Sequence, residues 1–103
     1  MKKLPPRPEP ATFIEDYDDG DPYSCMAAGF AEVGMQKTFT KRVKACMGKP
    51  DLDLHKLCLE NRKAVKFALY ELWLEADDPA VRSWTAEEMA KLGDKSLLDY
   101  DRE

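Results

Sequence analysis

The sequence predicts an all-α fold: a small bundle of three to five helices around one long central helix, preceded by an extended, proline-rich N-terminal arm. Three observations carry this expectation. Beyond residue 22 apolar side chains recur at intervals of three and four, and no alternation of period two extends past a few residues. Five of the seven prolines lie between Pro5 and Pro22, where a helix could not propagate. Finally, 103 residues are enough for a single domain with one modest core. The expected organisation is an arm over residues 1–21 and a helical interaction domain over residues 22–103.

Within the arm, the segment EDYDDGD cannot bury itself, and Phe13, Ile14 and Tyr17 are the bulky apolar groups that would anchor it if it docks. Lys2 followed by Pro5 and Pro8 also fits a polyproline II ligand, a pattern common by chance, and the plain extended arm is the expectation adopted. The acids Asp16, Asp18, Asp19 and Asp21 do not make a calcium loop. Counted from Asp16, Gly20 falls at the fifth position and Ala27 at the twelfth, where the loop needs an oxygen ligand and a glutamate. They suit helix initiation instead, with Asp21 as cap and Pro22 at the first helical position.

From Pro22 the positions Tyr23, Met26, Ala27, Phe30 and Val33 follow helical spacing. The phase then shifts to Met35, Phe39, Val43, Cys46 and Met47. Either one bent helix or two short ones broken near Gly34 would give this pattern, ending at Gly48 because Pro50 forbids continuation. Asp51 or Asp53 is expected to cap the central helix, which runs to about Ala76. Its main stripe is Leu54, Leu57, Cys58, Asn61, Ala64, Val65, Ala68, Leu69 and Leu72. Asp78 and Pro79 open a short helical turn through Ser83. Thr85 with Glu88 then forms a capping box, Trp84 packs on Met89, and Gly93 marks the stop. The tail adds at most one turn around Leu97, Leu98 and Tyr100.

The central helix carries a second apolar set. Leu59, Phe67, Tyr70 and Leu74 fall on the side away from the main stripe, interleaved with Lys56, Lys63 and Lys66. Aromatic and aliphatic anchors rimmed by long cations are the anatomy of a protein interface. Burying three such side chains would contribute on the order of 5–8 kcal/mol before association costs. The expected interface is therefore Leu59, Lys63, Lys66, Phe67, Tyr70 and Leu74, together with the arm residues Phe13, Ile14 and Tyr17. A sandwiched helix covered by its own neighbours is the alternative, and homodimerisation through this face is the simplest use of it.

Composition excludes much else. At 44% hydrophobic and 35% charged, with no apolar run near the ~18 residues of a membrane span, the chain is expected to make no membrane contact. The start MKKLPPRP lacks the apolar core of a signal peptide, so the expected compartment is the cytoplasm. Cys25, Cys46 and Cys58, with the single histidine His55, offer neither a disulfide framework nor a zinc site, and no cofactor is expected. His55 aligns with Arg62, Lys66 and Trp73 on an exposed flank rather than with a nucleophile, and no phosphate loop, G-x-S-x-G or HExxH occurs, so no catalysis is expected. The net charge of −4 is distributed in blocks: 3 basic against 7 acidic residues over 1–36, 9 against 3 over 37–66, and 4 against 10 over 67–103. The basic middle invites a nucleic-acid reading. However, the helix after Pro50 presents leucines where a recognition helix needs polar side chains, and overall acidity opposes phosphate affinity. Direct nucleic-acid binding is not expected.

The segment LHKLCLENRKAVKFALYELWLEA, in a chain of this size, resembles the small bacterial quorum-sensing antiactivators, which bind a LuxR-type receptor. The resemblance implies a dimeric helical protein that blocks dimerisation and DNA binding by a transcriptional regulator without touching DNA itself. It assigns no residue a role. A phage or mobile-element protein, either an anti-defence inhibitor or an assembly chaperone, fits size and acidity equally well, and a small DNA-binding accessory is the third alternative.

Overall fold

In the computed structural model, which describes residues 3–9, 11, 13 and 22–102, the described residues form four helices and no strand. The first, α1 (Pro22–Ala45), is one unbroken helix. Gly29 and Gly34 do not interrupt it, because a glycine only weakens a helix and neither site asks for a left-handed backbone. It gives way to a turn in which Lys49 donates its N–H to the Cys46 carbonyl and Gly48 takes φ +83°, a conformation that favours glycine.

After this turn the chain folds back. The second helix, α2 (Asp51–Glu75), lies along α1, with Arg42 on Glu60 at 2.7 Å and the Gln36 amide donating to the Ala64 carbonyl at 3.3 Å. Neither Asp51 nor Asp53 caps it. Pro50 is the N-cap residue, and the two acids sit in the first turn, where they complement the positive helix end.

The expected single long helix is in fact two segments that meet at Asn61. Its backbone is extended (φ −162°, ψ 93°), and its side-chain oxygen accepts the Ala64 N–H at 3.1 Å. Asn61 thus serves as the cap of the second segment rather than as part of the apolar stripe. This interruption resets the phase of the helix, which explains why Trp73 does not share an exposed flank with His55. His55 is exposed, whereas Trp73 has no accessible surface at all.

Two shorter helices cover that tryptophan. Asp78 accepts the Ala80 N–H at 2.9 Å and Pro79 begins α3 (Pro79–Lys91), which continues through Thr85 without a second start. The expected capping box is absent because a cap must leave helical geometry and nothing here stops the helix that Asp78 has begun. Thr85 is buried and donates its hydroxyl to the Arg82 carbonyl, while Glu88 accepts from Lys91. Gly93 ends α3 as predicted, at φ +97°, with the Asp94 N–H on the Met89 carbonyl and the Gly93 N–H on that of Ala90.

The last helix, α4 (Ser96–Arg102), folds over Trp73. Asp101 accepts the indole N–H at 2.9 Å and the Arg82 Nε–H at 3.0 Å, the Arg82 guanidinium lies 4.4 Å from the indole centroid, and Tyr100 meets the ring edge-on at 5.4 Å. With Leu69, Met89 and Leu97, also fully buried, Trp73 forms the centre of the core.

Replacing Asn61 by alanine removes the cap and should lower stability by about 0.5–2 kcal/mol. The expected result is a reduced urea midpoint with unchanged helical circular dichroism at zero urea. An unaltered midpoint would mean that the bond to Ala64 contributes nothing to the break.

Candidate protein interface

The back of α2 is not open along its length. Tyr70 is 4% exposed, and its hydroxyl donates to the Pro5 carbonyl at 2.6 Å. Pro5 is itself buried. Two residues on, the Arg7 guanidinium lies 5.6 Å from the Phe67 ring and 5.8 Å from that of Tyr70 and pairs with Glu71 at 2.9 Å. Lys63 meets Glu9 at 3.2 Å. The prolines keep this segment extended, so that alternate residues can lie against a helix while the carbonyls between them remain available as acceptors.

Of the α2 residues expected at an interface, one is buried. Tyr70 is covered by the chain's own N-terminal segment, and Phe67 and Lys66 are half-buried. Leu74, at 36%, and Leu59, at 74%, remain exposed at either end of the covered patch. Phe13 lies against α1: its ring is 6.0 Å from Phe39 and its N–H donates to Glu32 at 3.1 Å. Ile14 and Tyr17 lie outside the described residues.

The larger open surface belongs to α1. Its second half supplies Phe39, Val43 and Cys46 to the core, whereas Met26, Phe30 and Val33 are 60%, 74% and 57% exposed. At about 100° per residue these three lie on one face, and Lys37, Lys41 and Lys44 continue the same face toward the C-terminal end of α1. The helical spacing of Met26, Phe30 and Val33 was visible in the sequence. What separates them from the core set is the change of phase after Val33, which turns them away from α2. That shift was the available signal, and it indicated a change of exposed face rather than a break at Gly34.

Beside this face runs a groove of about 650 Å³ between α1 and the second segment of α2. Ala11, Val33, Phe67 and Leu72 line it, with Lys37, Lys41 and Lys44 on the α1 bank and Glu71 and Glu75 on the α2 bank. A second cavity, about 720 Å³, lies where Phe13, Met35, Phe39 and Arg42 meet Asn61.

Chemistry is sparse elsewhere. Among the described residues no cluster of three or more His, Cys, Asp or Glu side chains could hold a metal ion, and no helix is long and apolar enough to cross a membrane. Burial pushes both the Cys46 and the Cys58 thiols above their ordinary value, and the Cys46 Sγ–H donates to the Arg42 carbonyl. Such thiols are neutral at pH 7 and poor nucleophiles.

Two outcomes follow. Tyr70→Phe removes one hydrogen bond and should cost about 0.5–1.5 kcal/mol, and deleting residues 1–9 should cost more, since it also uncovers the ring. Equal melting temperatures for the intact and shortened chains would show that the segment is not part of the fold. Alkylation of Cys46 and Cys58 by iodoacetamide should be slow at pH 7 and accelerate only as the pH passes the ordinary thiol range, because a raised value keeps the thiolate scarce below it. Rapid modification at pH 7 would contradict this.

Comparison with known protein families, curated proteins and solved structures yields no match for this chain.

Proposed function

We propose that this chain is a non-enzymatic protein-binding module, a small inhibitor of the antiactivator kind. It binds a bacterial transcriptional regulator such as a LuxR-type quorum-sensing receptor and blocks that regulator's dimerisation and DNA binding. The observation that carries the binding role is the open face of α1. Three large apolar side chains stand in a row on the first half of a helix whose second half buries Phe39, Val43 and Cys46, while Tyr70 on the back of α2 is covered. A partner that buried Met26, Phe30 and Val33 would gain about 1.5–3 kcal/mol from each before the costs of association. Resemblance of the central segment to quorum-sensing antiactivators supports the kind of partner. An inhibitor of this class needs only a surface that competes for the regulator's own dimer contacts.

A gel-shift assay tests this reading. A LuxR-type receptor bound to its operator should lose the shifted band when this protein is added, and the protein alone should not retard the DNA at physiological salt. Phe30→Asp should abolish the effect while leaving helical circular dichroism intact, because that ring is not in the core. Retention of the receptor on DNA, or a shift caused by the protein alone, would refute the proposal.

A further inference from the structure

We infer that the groove between α1 and the second segment of α2 receives an amphipathic helix from a partner protein, one that carries carboxylates along the flank of its apolar stripe that meets α1. This deepens the protein-binding reading above and rests on it. The first argument is architectural. On one side of α2, α3 and α4 fill the space and bury Trp73 completely; on the other side, among the described residues, α1 and α2 form a two-helix pair with no third helix beside them, and only the extended N-terminal segment, through the buried Ala11, reaches the groove. A pair of packed helices leaves a furrow into which the ridge of a third can settle, which is how small bundles close. The furrow spans Gly29 to Lys44 on α1, about 22 Å at ~1.5 Å per residue, the length of roughly four helical turns.

The second argument concerns the lining. Val33, Phe67 and Leu72 give the floor an apolar character that suits leucine-sized side chains. The rim carries opposite charges on its two banks, Lys37, Lys41 and Lys44 on α1 and Glu71 and Glu75 on α2, with Glu32 of α1 taken up by the Phe13 N–H. Lys37, Lys41 and Lys44 stand one turn apart along α1, all exposed, and none makes an ion pair among the described residues. Across the groove, by contrast, Glu71 is already engaged by Arg7. Three cations one turn apart match glutamates or aspartates at matching intervals on a facing helix, each pair reinforcing orientation and the rate of encounter. Nucleic acid fits less well. Its phosphates would have to approach Glu75 and Glu71 on the opposite bank, and the apolar floor would contact no part of a duplex backbone.

The test uses synthetic peptides of about 18 residues, long enough to cover the groove at ~1.5 Å per residue. One carries leucines at helical spacing with glutamates along one flank and alanines along the other, a second has lysines in place of the glutamates, and a third is a scrambled sequence. Binding to the full chain is followed by fluorescence polarisation. The glutamate peptide should bind at least about tenfold more tightly than the lysine peptide, and its affinity should fall as salt is raised. Combining Lys37→Glu with Lys41→Glu should reverse the order of the two peptides, and Val33→Asp should remove binding of both. Equal affinity for all three peptides, no binding of the glutamate peptide, or indifference to the lysine reversal would overturn the proposal. So would a DNA oligonucleotide that binds through the same lysines and displaces the peptide. Failure here is separable from failure of the antiactivator reading. Should the Lys37→Glu, Lys41→Glu protein still release a LuxR-type receptor from DNA, the groove proposal falls and that reading stands; should the glutamate peptide bind while the receptor is untouched, the converse holds.

Discussion

The Tyr70 hydroxyl, donating to the Pro5 carbonyl at 2.6 Å, sets the division between covered and open surface in this protein. A phenol buried at this depth must find an acceptor, which the interior of a helix, its carbonyls already bonded, does not readily supply. An extended proline-rich segment can. Its carbonyls are not consumed in helical hydrogen bonds, and its fixed φ reduces the entropy lost on docking. Arg7, above the Phe67 and Tyr70 rings and paired with Glu71, and Lys63 on Glu9 hold the segment along the helix. These ion pairs are exposed and each contributes little; the burial of Pro5 and of the tyrosine ring contributes more.

With the back of α2 covered, the surplus of apolar surface moves to α1. That helix divides lengthwise: the second half is part of the core through Phe39, Val43 and Cys46, and the first half offers Met26, Phe30 and Val33 outward. The basic block that the sequence places over residues 37–66 is divided as well. Arg42 is bound to Glu60, and Lys63 to Glu9, within the chain. Lys37, Lys41 and Lys44 instead line the open groove. Charge within the fold and charge directed outward therefore come from the same stretch of sequence, which is why its block composition alone could not say whether it served the bundle or a partner.

The all-α class, the long central element, the stop at Gly93 and most of the main stripe of α2 were legible because they depend on short-range pattern: period, proline and glycine. The rest depended on contacts that pattern does not encode. Asn61 fits an apolar stripe as a spacing but acts as a cap once the backbone breaks, and that break is what carries Trp73 from a supposed flank into the core. Thr85 and Glu88 match a capping box in letters, yet Asp78 had already started the helix that contains them. The cover over Tyr70 in the second stripe was not legible, because a proline-rich arm gives no periodic sign of what it will lie against. The open face of α1 was written in the phase change after Val33, a signal that marks a turn of the helix's buried side as readily as a break.

The most direct test of this account is hydroxyl-radical footprinting of the intact protein at low concentration, with oxidation read residue by residue. Met26 and Phe30 should be modified rapidly, while Tyr70 and Trp73 should be protected to nearly the same degree as each other. Rapid oxidation of Tyr70, with Met26 and Phe30 protected, would mean that the N-terminal segment does not cover α2 and that the open face lies where the second stripe is, not on α1.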